Sequence, residues 1–323
     1  MNTPTTSPTS RTLVLGAFAA IYVVWGSTYL AIRVAVETLP PFLTAGVRFL
    51  TAGGLLYAFL LARGFAKPSR AHWHNALVTG VLLLVGGNGL VMWAEQRISS
   101  GFTALLVALA PVWFALLDWS RPRGVRPQFK TLVGIVIGFL GVLMLVNGRG
   151  GLTGNTQWWG VLAVIAAGIC WAGGSLYSKY TPDVASPWMN AAAQMICGGA
   201  ALLVAGLLLG EPFRTDWGRV SGRSLAALTY LIVFGSWIGF SAYVWLLKTT
   251  TPSRVSTYAY VNPVIAVFLG WALLGESVNA SMLWGALVIL AGVITITVPP
   301  AAIASGWTRV RRCATCCLPG RLS

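Results

Sequence analysis

Ten apolar runs, each about as long as a bilayer crossing, divide the chain, and no other feature constrains its fold as strongly. They lie near residues 12–32, 42–62, 74–93, 101–119, 129–147, 158–178, 187–209, 224–247, 256–274 and 281–299. A helix needs about 20 mostly apolar residues to cross a bilayer core. Lipid offers no partners to backbone N–H and C=O groups, so each crossing must satisfy them within itself, as a helix does. A closed β-barrel would show alternating segments of about ten residues, and this chain has none. Composition agrees: of 323 residues, 56% are hydrophobic and 9% charged, against roughly 25% charged in a soluble domain. Arg11 before the first run resembles the start of a signal peptide, yet the run continues to about Ile32 without an A-x-A site. The reading is an all-α integral membrane protein of ten transmembrane helices, the first of them retained.

A net charge of +15 would suggest nucleic acid in a soluble protein. Here Lys and Arg fall mainly between the runs, where they set topology, so no nucleic-acid partner is expected. With the N terminus inside, the inner segments carry fifteen of the 22 basic residues, the outer segments six (Arg33, Arg97, Arg149, Arg214, Arg219, Arg223), and one, Arg48, lies within a run. Both termini are therefore expected to be cytoplasmic. Cys170 and Cys197 read as small core residues. Cys313, Cys316 and Cys317 in the tail form only a weak metal or redox signal.

The two halves of the chain align. Trp25 meets Trp171, Pro41 meets Pro187 and Gly53 meets Gly199 at an offset of 146, and Pro111 meets Pro263 at 152. Five crossings is an odd number, so the second half enters the membrane from the opposite side. Such inverted repeats recur among secondary transporters, whose halves rock about a central site. The expected organisation is a tail over 1–11, five-helix repeats over 12–147 and 158–299, and a second tail over 300–323.

The stretches "VVWGSTYLAIRVAVETLPPFLTAGVRFLTAGGLL", "SSGFTALLVALAPVWFALL" and "SRVSTYAYVNPVIAVFLGWALLGES" resemble the EamA-type branch of the drug/metabolite transporter superfamily. The resemblance runs from about residue 12 to 299. It implies a ten-helix, two-repeat permease of the bacterial inner (plasma) membrane that exports small metabolites, amino acids or drugs, with protons as a candidate coupling ion. One departure is visible. Glu276 stands thirteen residues after Pro263, whereas Gly124 stands thirteen after Pro111, so Glu276 cannot serve a role that needs two-fold symmetry.

Proline removes a helical N–H and displaces the carbonyl four residues earlier. Paired interruptions point to a transporter's binding site, which makes Pro111 and Pro263 candidates, a structural kink being the alternative. Tyr258, Tyr260 and Asn262 precede the second proline. Trp25, Ser27 and Thr28 in the first run, Asn88 in the third, Trp171 in the sixth, and Ser236 and Tyr243 in the eighth add further candidate substrate contacts. Tyr29 and Tyr177, near run ends, fit an interfacial belt. Gly134/Gly138 and Gly235/Gly239 have the spacing of close helix contacts.

Arg48 lies about six residues into the second run, and Gln194 holds the matching place in the second half. An unpaired intramembrane Arg is costly, so two readings stand. Arg48 pairs with Glu95 or Glu37 at the outer end, or it contacts substrate in the outer half of the path. Asp118 likewise either carries a coupling proton or anchors Arg121 one turn on. His72 and His74 read as solvated in a basic loop. No cofactor or metal site is expected, and no H-E-x-x-H, G-x-S-x-G or Walker motif occurs. The chain reads as a transporter rather than an enzyme; an intramembrane enzyme and a channel are the competing classes.

Overall fold

The structure, a computed structural model, describes residues 11–121, 124, 126–147, 155–181 and 186–297. The described residues are helical, with no strand among them. Among the described residues, seven stretches are long and apolar enough to cross a membrane: α1 (Thr12–Ala35), α2 (Pro41–Ala62), α3 (Arg70–Ala94), α4 (Ser100–Ser120), α6 (Trp158–Tyr180), α7 (Pro187–Leu208) and α8 (Gly222–Thr249). Three shorter apolar helices are also present among the described residues: α5 (Phe129–Asn147), α9 (Tyr258–Leu274) and α10 (Ala280–Thr297). Local sequence sets the boundaries. Ser69, Ser99, Ser186 and Ser221 cap the starts of α3, α4, α7 and α8 by accepting from an amide three residues on. Gly275, at φ 65°, ends α9. Leu55, Val136, Trp271 and Leu283 are each more than half exposed, and apolar surface on this scale fits lipid, not water. The chain is a multi-pass membrane protein.

Helices related by the sequence repeat pack against each other. A Cβ on Gly46 would meet Leu203, one on Gly53 would meet Met195, and one on Gly199 would lie 2.6 Å from the Leu50 nitrogen. Residue numbers rise on α2 as they fall on α7, so the pair is antiparallel, and glycine lets the backbones close up. α5 and α10 pair in the same way: a Cβ on Gly292 would lie 2.6 Å from the Gly138 nitrogen. The GxxxG at Gly134/Gly138 thus serves the contact between α5 and α10.

The four lysines (Lys67, Lys130, Lys179, Lys248) lie at one end of the helices and the four glutamates (Glu37, Glu95, Glu211, Glu276) at the other. These are called the Lys end and the Glu end below. At the Glu end, Glu211 follows α7 and accepts from the first amides of α2, Phe42 N at 3.0 Å and Leu43 N at 2.8 Å. Glu276 follows α9 and accepts from Ser100 N (2.9 Å), Ser100 Oγ (2.8 Å) and Gly101 N (3.2 Å) at the start of α4. A carboxylate on a helix N-terminus satisfies orphan amides and meets the positive end of the helix dipole.

Regular α-helix gives way to wider turns at matched places. π-helix covers Val81–Gly89 in α3 and Leu231–Phe240 in α8, about 150 residues apart, and also Ala20–Val24 in α1. Such bulges concentrate at functional sites. α4 breaks at Ala108–Leu109, between Ser100–Val107 and Ala110–Ser120, with Pro111 opening the second piece. Pro263 departs from the expected pairing. It lies inside the continuous helix Tyr258–Leu274, and the chain turns six residues earlier, at Ser256–Thr257. His72, expected in a solvated loop, is buried in the first turn of α3. The cysteine-bearing tail lies outside the described residues.

Candidate functional site

A cavity opens among α1, α2, α3 and α4 of the first half and α6, α8 and α9 of the second. Its wall is aromatic. Trp25 sits 5.5 Å from Trp171, 5.0 Å from Tyr243 and 5.4 Å from Tyr258, ring centre to ring centre. Trp171 lies 5.1 Å from Tyr243, and its buried indole N–H has no hydrogen-bond partner. The Trp25 and Tyr243 rings are held by hydrogen bonds. Trp25 Nε1 donates to Gly235 O at 3.1 Å, and the Tyr243 hydroxyl pairs with Ser175 Oγ at 2.7 Å. The π turn of α8 places Gly235 and Gly239 where side chains of the other half must fit: a Cβ would lie 2.9 Å from Arg48 Nη2 and 2.5 Å from Trp25 Nε1 respectively. The GxxxG at Gly235/Gly239, which reads as a helix contact, makes room for two cavity side chains.

Arg48 is buried at 3% exposure and lines the cavity. The ion pair expected with Glu95 or Glu37 is not formed. Among the described residues, ion pairs join Arg121 to Asp118 and Arg219 to Asp216, and none includes Arg48. Its Nε donates instead to Ser236 Oγ at 2.7 Å, its guanidinium carbon stands 4.5 Å over the Phe49 ring, and Nη1 has no partner. Both halves supply this setting, since Ser236 belongs to α8. Gln194 occupies the inverted place: each residue lies seven positions into its helix, counted from Pro41 and Pro187. It donates to Asn190 Oδ1 at 3.0 Å and Ser178 Oγ at 3.2 Å, toward the Lys end and outside the cavity.

Glu95, one residue past α3, is fully buried, and neither carboxyl oxygen has a donor. Its backbone carbonyl accepts from Arg33. Burial, reinforced by Glu276, pushes the carboxyl well above its ordinary range, against the pull of Arg33 and Arg48. Glu37 is exposed and borders a second cavity of about 350 Å³ at the Glu end, with Arg33, Arg97, Arg223 and Glu276. Asp118 forms its ion pair with Arg121 at 2.5 Å, so of its two readings the anchor is the one seen.

The remaining candidates divide. Asn88 lines the cavity, and its Nδ2 reaches only Leu83 O, at 3.5 Å. Ser27 turns away, to Tyr230 OH at 2.6 Å and Val24 O at 2.7 Å. Asn262 is buried against the π turn of α1, where its amide nitrogen donates to Tyr22 O at 2.9 Å; it satisfies a loosened carbonyl. Pro111 and Pro263 are buried outside the lining, though Val107 and Ala110, flanking the α4 break, line the cavity. The Tyr260 side chain lies outside the described residues. Tyr29, which fits an interfacial belt by sequence, is buried and lines the cavity. Phe49, Phe240, Gly87, Gly168 and Gly235 also line it. No local pattern marks them, although the density of glycine in α3 and α8 is a usable signal.

Arg48 is the one charged residue of the described lining. A cation brought within about 5 Å of it meets roughly 3 kcal/mol of repulsion at an effective dielectric of about 20. A cation–π contact returns roughly 0.5–2 kcal/mol. The repulsion wins, so the aromatic wall alone does not make this a cation cage.

Comparison with known proteins follows the same lines. The model of the EamA-like transporter family matches residues 12–147 and again 158–298. The chain is 42% identical over 287 residues to an Escherichia coli (strain K12) protein named uncharacterized inner membrane transporter YedA, covering 88% of this chain and 90% of that one. It is 27% identical to the uncharacterized transporter YvbV of Bacillus subtilis (strain 168), over 90% and 92% of the two chains. One solved crystal structure superposes with a TM-score of 0.65 at 20% identity, covering 89% of this chain and 97% of the other; at that identity the likeness concerns the fold.

Proposed function

The chain belongs to the EamA-like transporter family, and from that premise we propose that it is a secondary active transporter exporting small metabolites by alternating access. The proposed plan is ten spans in two inverted five-helix repeats, set in an inner membrane with the Lys end and both termini cytoplasmic. One observation carries the reading: the cavity is built by helices of both halves, so relative motion of the halves must change access to it. Antiparallel pairing of α2 with α7 and α5 with α10 supports the inversion. The gathering of lysines at one end supports the orientation. Relatives named as transporters favour transport over catalysis.

The test is counterflow in liposomes holding the purified protein. A carrier gives saturable uptake that accelerates when substrate is placed on the far side. Chemically altered substrate, or rapid unsaturable conductance, would favour an intramembrane enzyme or a channel and remove this reading.

A further inference from the structure

We propose that the cavity is a site for an organic monocarboxylate with a flat aromatic body, its carboxylate held by Arg48 and its ring by Trp25, Trp171 and Tyr258. The inference rests on reading this cavity as the transport site, and it names the substrate class that the reading leaves open.

The donor set decides the ligand's charge. Arg48 is fixed by the Nε bond to Ser236 and by its stand over Phe49, while Nη1 is buried without a partner. A buried guanidinium nitrogen left unpaired is expensive, and an anionic acceptor is the partner that repays it best. No carboxylate belongs to the described lining. An amino acid would satisfy Arg48 with its carboxylate but bring an ammonium that finds only neutral acceptors, such as Asn88 and the tyrosine hydroxyls. A site that leaves one group of a ligand unpaired rejects that ligand. A simple acid leaves none unpaired. The apolar body follows from the wall: Trp25, Trp171, Tyr258, Tyr29, Phe49 and Phe240 bring rings to a lining in which Arg48, Asn88 and Thr28 are the other polar side chains, and offset or edge-on ring contacts favour a flat aromatic partner. At the Glu end, Arg33, Arg97 and Arg223 border the second cavity together with Glu37 and Glu276. The three arginines there outnumber the two carboxylates, and this small excess of positive charge biases the approach toward anions.

Four probes sharing one ring separate the possibilities in equilibrium binding to the purified full-length protein at neutral pH: 3-phenylpropanoate, its neutral amide, phenylalanine and 2-phenylethylamine. The acid is expected to bind at least tenfold more tightly than the amide or phenylalanine, with the amine weakest. Arg48→Gln should lose at least tenfold for the acid while changing amide affinity less than threefold, and Arg48→Lys should fall between. Equal or tighter binding of phenylalanine or the amine overturns the proposal, as does unchanged acid binding by Arg48→Gln, or no binding by any probe. The wild-type panel keeps the proposal falsifiable even where Arg48→Gln does not fold. Acid binding without saturable flux in liposomes would keep the site and remove the transport reading. Saturable counterflow of the amine or phenylalanine, with none of the acid, would keep transport and remove the anion site.

Discussion

The Glu end and the Lys end of this protein are held by opposite chemistry joining different partners. At the Glu end, carboxylates from the second half sit on helix N-termini of the first: Glu211 on α2 and Glu276 on α4. At the Lys end, ammonium groups sit on helix C-termini, but within the second half. Lys179 of α6 donates to Leu247 O (2.6 Å) and Thr250 O (2.7 Å) at the end of α8. Lys248 of α8 donates to Ser178 O and Thr181 O at the end of α6. Both arrangements match charge to the helix dipole. They differ in what must break when the halves move. The Glu-end clips cross from one half to the other, whereas the lysine exchange ties α6 to α8 so that they travel together.

That contrast sets the order of expected effects. The double change Glu211→Gln, Glu276→Gln should act most strongly. Each lost carboxylate cap removes roughly 1–2 kcal/mol, and loss of both should make the Glu end of the cavity more reactive to a membrane-impermeant thiol reagent at a cysteine placed at Asn88. Unchanged labelling would show that the clips do not hold that end shut. Glu276→Gln alone, which weakens three bonds, should exceed Glu211→Gln, which weakens two, in lowering the thermal midpoint in detergent. The reverse order would mean that α2 depends on its cap more than α4 does.

Lys179→Met should lower the midpoint by roughly 1 kcal/mol equivalent without altering labelling at the Glu end. A change in labelling there would contradict the view that α6 and α8 move as one.

The smallest effect concerns Glu95, on which burial acts first, then Glu276 after α9, Arg33 of α1 and Arg48 of α2. Its folded-state pKa is raised above the ordinary value of about 4.3. Its contribution to stability is therefore complete below that value and is lost as pH rises through the raised one. Glu95→Gln should flatten the fall in thermal midpoint between pH 5 and pH 8. An equally steep fall in the variant would assign the pH dependence to other groups.

Much of this was legible in the sequence because lipid imposes one solution on an apolar run of this length, and the alignment of Trp25 with Trp171 exposed the repeat. The cavity was legible where a residue's type and depth agreed, as for Trp25, Trp171, Tyr258 and Asn88. What failed depends on register between helices distant in the chain. Arg48 takes Ser236, 188 residues away, in place of the acids nearby, and which face of α8 meets α2 is not written in either helix. Pro263 was misread as a break because a bundle tolerates proline where Ser256–Thr257 already turns the chain. Ser27 and Asn262 have the right polarity and depth, yet their groups serve Tyr230 and the backbone carbonyls of α1.

The central claim is that one cavity shared by both halves, with Arg48 in its wall, carries the substrate. Arg48→Gln, which copies the residue found at the inverted position, tests it most directly. Reconstituted at equal density, the variant should insert normally, keep its thermal midpoint within a few degrees, and lose at least tenfold in counterflow. Counterflow equal to that of the unaltered protein would reduce Arg48 to a packing residue and contradict the account.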